Sequence, residues 1–352
     1  MNTGILLMNT GTADEPTLPA VRNYLREFLM DPAIIGAPEF IRKRIVNHIV
    51  RRRPERTIAN YEQYWTPQGS PFTIGCYKQA ERLQVELSGR LAGDVHVALG
   101  MRYGSPSVLD ALHELRVAGC EQVVVLPSYP QEVNVCAGTC IKHAHDALVK
   151  LAQQYDWYPQ VVDVPRFYDL DSYRCALARQ VAANWQYKPG SKLVVSFHST
   201  MLADIEAGDP YRDQTVATAN NLAQDLGVSV EDVVVSYQSR FDSRKWLQPF
   251  TEPTVRGLAQ SGVKDVAVVC PIFTVDNMET SLEINRDLRT AFMEEAGASA
   301  QFTYIPALGH GAGMVKALAD AVQKALDGGF DSQKVALQGA TADTSLPHML
   351  PH

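Results

Sequence analysis

The 352-residue chain lacks any run approaching the roughly 18 consecutive apolar residues of a membrane-spanning helix. Its opening residues, MNTGILLMNTGT, carry neither the basic segment nor the cleavage site of a secretory signal. A cytoplasmic protein is the expectation. Positive charge is not in excess either: 32 Lys and Arg stand against 39 Asp and Glu, a formal net charge of −7, which argues against a nucleic-acid partner. Six cysteines in this length are no disulfide scaffold, and the cytoplasm would keep them reduced. What the chain does have, at 46 % hydrophobic residues, is enough apolar material for one large or two medium domains.

Short Val-, Ile- and Leu-rich runs alternate with longer stretches at helical spacing, the pattern of a parallel α/β sheet covered on both faces. The runs at Gly4 to Asn9, Val95 to Gly100, Gln122 to Pro127, Lys192 to Phe197, Asp232 to Tyr237 and Asp265 to Cys270 read as buried strands. They fall into two similar sets. LRVAGCEQVVVLP, from Leu115, matches LAQSGVKDVAVVCP, from Leu258, and pairs Gly119 with Gly262 at an offset of 143. GILLMNTGT, ending at Thr12, matches LVVSFHST, ending at Thr200, at an offset of 188. The excess of 45 residues places an insertion in the first half, between Asp14 and about Lys78. The fold reading is α/β, with two similar Rossmann-like lobes at 1–165 and 166–327, each a parallel sheet flanked by helices. An inserted lip at about 14–78 belongs to the first lobe, and the cleft lies at the carboxyl ends of both sheets. So short an echo also fits the ordinary helix-to-strand rhythm of α/β chains. Residues 328–352, rich in Gly, Ser, Thr and Asp, are expected to be disordered.

Within the insertion, FIRKRIVNHIVRRR from Phe40 to Arg53 places Ile41, Ile45 and Ile49 on one helical stripe. Arg42, Lys43, Arg44 and Arg51 to Arg53 crowd the remaining surface. Such a helix can lie on an anionic membrane surface, and the same pattern fits a solvated helix packed on its own lobe.

Two features carry candidate chemistry. His198 directly follows the apolar run LVVSF, which puts an imidazole at the mouth of the cleft. Beyond another strand end, Glu279 and Glu283 are four residues apart and share one helical face. Two carboxylates facing a cleft raise each other's proton affinity, which suits a proton relay or a divalent-ion path; an exposed acidic helix is the plainer account. Cys136, Cys140, His143 and His145 hold ligand-type residues in close register, as a metal site or as small residues edging the cleft.

Taken together, YLREFLMDP (Tyr24 to Pro32), GSPF (Gly69 to Phe72), GMRYGSP (Gly100 to Pro106), SYPQ (Ser128 to Gln131), SFHS (Ser196 to Ser199), GDPYRDQ (Gly208 to Gln214), YQSRF (from Tyr237) and DNMETSLEI (Asp276 to Ile284) resemble the ferrochelatase family, from about Gly4 to about Leu326. The resemblance implies an enzyme inserting Fe²⁺ into a porphyrin at the end of haem synthesis, with two protons released. It also implies a lip that closes over the macrocycle and makes peripheral contact with the membrane. Porphyrin and ferrous iron would be the partners, for a monomer or homodimer. The family's active-site histidine is carried onto His198 and its acidic partner onto Glu279, both also candidate metal ligands, with Glu283 as the next carboxylate. Arg102 at a strand end, for a propionate, and Tyr103, Gln131, Tyr237 and Trp246 are candidate substrate contacts that serve equally as lobe-packing residues, and Asn277 is a further candidate contact. YLREFLMDP, SYPQ and Thr10 look more like the protoporphyrin branch than the coproporphyrin one. No cysteine follows Cys270, so the C-terminal set that holds an iron–sulfur cluster in some relatives is missing and no permanent cofactor is expected.

Departures from the family pattern leave other readings open: a tetrapyrrole carrier without catalysis, or a paralogue with another metal, porphyrin or direction. Thr200 and Met201 replace the usual Leu-Pro after the histidine, Asn277 stands where relatives often carry a second histidine, and Glu132 follows SYPQ. An amide cannot take up a proton as imidazole does.

Overall fold

Apolar runs that are covered on both faces become the central strands of two parallel sheets. The structure, a computed structural model, describes residues 1–52, 54–240 and 244–330. Thr3–Asn9 (β1), Val95–Met101 (β2), Gln122–Pro127 (β3) and Gln160–Asp163 (β4) form one sheet in the order β2-β1-β3-β4. Lys192–His198 (β5), Val233–Gln238 (β6), Asp265–Val269 (β7) and Gln301–Ile305 (β8) form the other in the equivalent order β6-β5-β7-β8. Every residue of β1 and of β3 is buried, as expected for interior strands of a doubly covered sheet. The two edge strands β4 and β8 escaped the sequence reading because they are short and begin on exposed Gln160 and Gln301.

The internal echo is visible in the backbone. Gly119 and Gly262 both adopt positive φ, 71° and 95°, at the turns leading into β3 and β7, where a side chain would be strained. Beyond those two strands, at corresponding places, the chain winds into π-helices, Asn134–Gly138 and Glu279–Leu288. Ser128, directly after β3, and Thr274, in the loop after β7, meet across the join, their hydroxyl oxygens 2.6 Å apart. Ser128 donates to the fully buried Gln79, whose amide donates in turn to the Gly309 carbonyl. These buried polar bonds fix one sheet's end against the other, and so fix the cleft.

Between β1 and β2 lie four helices, Leu18–Leu29 (α1), Glu39–Arg52 (α2), Pro54–Tyr64 (α3) and Pro71–Ser88 (α4). The corresponding interval of the second half holds the short helix Leu202–Glu206, the long helix Tyr211–Leu226 and a single 3-10 turn at Val230–Asp232. Ala312–Leu326, the last helix among the described residues, packs on α4, β3 and β4, so it seals the first sheet and ties the two halves into a shared core. Of the tail expected to be disordered at 328–352, Gly328 and Gly329 are hydrogen-bonded back onto that helix and Phe330 is buried in the core, and 331–352 fall outside the described residues.

The packing face of α2 differs from the stripe read in the sequence. Val46 and Val50 are buried against Leu29 and Ile35, whereas Phe40, Ile41 and Ile45 are 68 %, 39 % and 37 % exposed. Arg42, read as a surface residue, is buried, because its Nη1 donates to the carbonyls of Ile35 and Ala37.

Candidate active site

In each sheet the chain leaves the middle in opposite directions from two adjacent strands, β1 and β3 or β5 and β7, and the crevice beyond such a pair is where α/β folds place ligands. His198 ends β5. Glu279 opens the π-helix that follows β7 and its loop. The two face each other with His198 Nε2 3.9 Å from Glu279 Oε1. His198 Nδ1 lies 2.7 Å from the Ser199 carbonyl, so Nδ1 carries the proton and donates it, and in the neutral ring Nε2 presents its lone pair to the cleft. Phe273 meets the imidazole edge-on, and the Tyr211 hydroxyl donates to the His198 backbone carbonyl.

Glu279 Oε2 is buried without a hydrogen-bond partner. Burial pushes this carboxyl up to about 7, Glu283 adds to the rise by like charge, and His198 opposes it. Glu283, four residues on, accepts a 2.7 Å bond from the hydroxyl of Ser239, itself held in a left-handed conformation at φ 63°. The bonding of a π-helix reaches from residue i to i+5, and the widened turn still leaves residues four apart on one side. A base poised near neutrality beside an imidazole lone pair can accept protons, and imidazole and carboxylate together can ligate a borderline divalent ion.

These groups line a cleft of about 510 Å³. Phe28, Ala33 and Ile34 of the lip line it together with Val135 from the smaller π-helix, Met201 and Trp246. Arg240 and Arg244 line it as well. Sequence reasoning missed these wall residues apart from Trp246, although Phe28 and Arg240 lie inside YLREFLMDP and YQSRF, two of the quoted motifs.

Of the expected substrate contacts, only Trp246 lines this cleft. Arg102 and Tyr103 are both drawn to Asp31 at the end of α1: the Arg102 guanidinium forms an ion pair with Asp31 and the Tyr103 hydroxyl donates to it at 2.7 Å. Tyr103 is 2 % exposed, so this trio fastens the lip to the end of β2. Gln131 is fully buried and donates to Thr218, and Tyr237 is buried with its hydroxyl 2.8 Å from that of Thr215. Asn277 and Thr280 exchange hydrogen bonds in the reciprocal manner of a capping box, the Asn277 amide oxygen accepting from the Thr280 N–H and the Thr280 hydroxyl from the Asn277 N–H. Its amide therefore holds the start of the helix that carries Glu279.

The changed loop after His198 is secured by pairing: Leu202 N–H donates to the Lys245 carbonyl, Leu247 N–H to that of Thr200, and the Ser199 hydroxyl to that of Leu247. Glu132 is engaged by Arg166 at 3.6 Å. Among the described residues no three His, Cys, Asp or Glu side chains converge as a metal-holding group. His145 instead meets Asp163 at 2.9 Å, burial pushes Cys140 up to about 12, and His143 is lowered to about 4 by burial and then by Arg102.

The chain is 40 % identical over 327 residues to the ferrochelatase of Thioalkalivibrio sulfidiphilus, covering 92 % of this chain and 87 % of that protein. It is 39 % identical to the ferrochelatase of Bordetella pertussis over 329 residues, covering 92 % and 88 %. In fold it is similar to SirB from Bacillus subtilis with Fe³⁺, at a TM-score of 0.53 and 15 % identity over 74 % of this chain and 94 % of that one. A cobalt complex of the sirohydrochlorin chelatase SirB from the spizizenii subspecies gives 0.52 at 12 % identity, over 93 % and 96 %. Residues 2–326 match the ferrochelatase family profile, so the two-sheet fold, the quoted motifs and the extent of similarity agree: this chain belongs to the ferrochelatase family.

Proposed function

We propose that the protein inserts Fe²⁺ into protoporphyrin IX, forming haem and releasing two pyrrole protons. The observation that carries the reading is His198 set 3.9 Å from Glu279 in one cleft, with the carboxyl raised to about 7. Metallation needs two N–H protons removed and a hydrated cation stripped of water. His198 Nε2 is the group with an available lone pair, and Glu279 Oε2, buried and unpartnered, is the next acceptor. Glu283 extends the path along the helix towards Ser239. Entering iron would meet the imidazole and a carboxylate as ligands, with the ring nitrogens supplying the rest. The apolar wall of Phe28, Ile34 and Val135 suits the face of a tetrapyrrole, and binding energy gathered there can bend the ring so that its nitrogens are exposed. No iron–sulfur cluster enters this reading.

Among the described residues no helix is long and apolar enough to cross a membrane. The exposed Phe40, Ile41 and Ile45 of α2, with Lys43, Arg44 and Arg51 on the same helix, support contact with an anionic bilayer surface from which an apolar substrate is drawn.

The test is anaerobic mixing of purified protein, protoporphyrin IX and ferrous ion, followed by the loss of porphyrin bands and growth of haem bands. Insertion faster than in protein-free solution is expected. Tight porphyrin binding with no acceleration would replace the enzyme with a carrier.

A further inference from the structure

Tyr211, the first residue of the helix Tyr211–Leu226, is buried edge-on to Phe197, and its hydroxyl donates to the His198 carbonyl at 2.9 Å. The other edge of that peptide is held too: the Ser199 N–H donates to the Gln238 carbonyl at 2.8 Å. A planar peptide bonded at both edges cannot turn without breaking a bond. This plane matters because the next carbonyl, of Ser199, accepts from His198 Nδ1 and leaves the Nε2 lone pair for the cleft. Asp209, also buried, ties the arrangement to the other half of the chain. Its Oδ1 accepts from the Tyr211 N–H at 3.0 Å and its Oδ2 from the Asn134 N–H at 2.9 Å. Asn134 begins the smaller π-helix, whose next residue, Val135, lines the cleft with His198. A second bond runs from the Glu132 N–H to the side-chain oxygen of Gln214 at 2.7 Å, on the same helix as Tyr211.

We propose that Tyr211 and Asp209 are positioning residues for metal insertion: Tyr211 aims the His198 imidazole, and Asp209 sets Tyr211 against the part of the cleft that carries Val135. The proposal rests on the metal-insertion reading and adds to it the residues that place the base. Neither side chain lines the cleft, so both act through His198. Taking a proton from a pyrrole N–H needs Nε2 within hydrogen-bond reach of the ring nitrogens, and a misplacement of about 1 Å can cost about 100-fold in rate. A peptide held at one edge only lets the imidazole swing. Loss of the Asp209 carboxylate frees the first turn of the helix, and the Tyr211 hydroxyl moves with it.

Tyr211→Phe keeps the ring beside Phe197 and removes only the hydroxyl, while in Asp209→Ala the Gln214 bond still holds the helix to the other half. Each should lower kcat of anaerobic metallation about 10-fold or more. KM and the metal-free dissociation constant for protoporphyrin IX should stay within about threefold of wild type. Asp209→Asn, which retains an acceptor oxygen, should recover part of the loss. A second readout needs no turnover: long-range proton–nitrogen NMR on protein labelled at its histidine ring nitrogens reports the ring tautomer at mildly alkaline pH, where imidazole is neutral. The His198 signals are those absent from His198→Ala. Wild type should carry the proton on Nδ1, and both Tyr211→Phe and Asp209→Ala should show a mixture of tautomers. The wild-type tautomer retained in both variants overturns the proposal, and so does a fall in turnover matched by an equal fall in porphyrin affinity. Should wild type never metallate the ring, the insertion reading fails, and the tautomer still decides whether Tyr211 and Asp209 aim His198.

Discussion

His198 and Glu279 stand 3.9 Å apart, the imidazole anchored by the Ser199 carbonyl and the carboxylate reaching it with one oxygen while the other is buried without a partner. The pair is thus held from behind and open in front. If His198 takes a pyrrole proton or an entering metal ion, His198→Ala should lower turnover about 10²- to 10⁴-fold. Porphyrin affinity should stay within a few-fold, since the ring contacts come from other side chains. Steady-state kinetics alongside a binding titration separates the two effects.

Glu279 supplies a pH dependence. A group raised to about 7 accepts protons only once ionised, so turnover should climb with pH through that value, and Glu279→Gln should flatten this limb as well as lower the rate. Stability runs the opposite way. The folded carboxyl holds its proton more tightly than the unfolded one, so its favourable contribution is complete below the ordinary carboxylate range and is lost as pH rises through about 7. Melting temperatures of wild type should therefore fall relative to Glu279→Gln across that window.

Asn277 acts on the same helix from its start. Removing the amide oxygen in Asn277→Ala leaves the Thr280 N–H without its acceptor and should cost about 1 kcal/mol, while Asn277→Asp should keep most of the stability. Urea midpoints decide it. Asn277→His restores a titratable ring but loses the cap, so any gain in rate should appear together with a lower midpoint.

Asp31 carries the ion pair to Arg102 and accepts the Tyr103 hydroxyl while only 6 % exposed. Asp31→Ala would leave a half-buried guanidinium unpaired and should cost about 3–5 kcal/mol, an effect of the size seen when one partner of a buried pair is removed. A denaturation midpoint equal to that of wild type would show that the trio does not fasten the lip.

The exposed face of α2 offers a separate check. Replacing Phe40, Ile41 and Ile45 with Ser should reduce co-sedimentation with anionic vesicles and leave the fold's stability nearly unchanged, because Val46 and Val50 are the residues that pack. Loss of binding at raised salt in the wild type would mark the share due to the basic residues.

The sequence by itself determined the interior strands, since a parallel strand covered on both faces has to be an apolar run, and it determined the pairing of the two halves through Gly119 and Gly262. It also placed His198 and Glu279, because both follow such runs closely in the chain. Tertiary structure decided what the remaining polar side chains do. Arg102 and Tyr103 read equally as cleft contacts or packing residues until Asp31, 71 and 72 residues away in sequence, is brought beside them. Arg42 read as solvated until the carbonyls of Ile35 and Ala37 captured its guanidinium and turned Phe40, Ile41 and Ile45 outward. The cleft lining brings together Ile34 and Arg244, 210 residues apart. Apolar periodicity is written locally, whereas a charged side chain is satisfied by whichever acceptor folding brings within reach, and that choice is made in three dimensions.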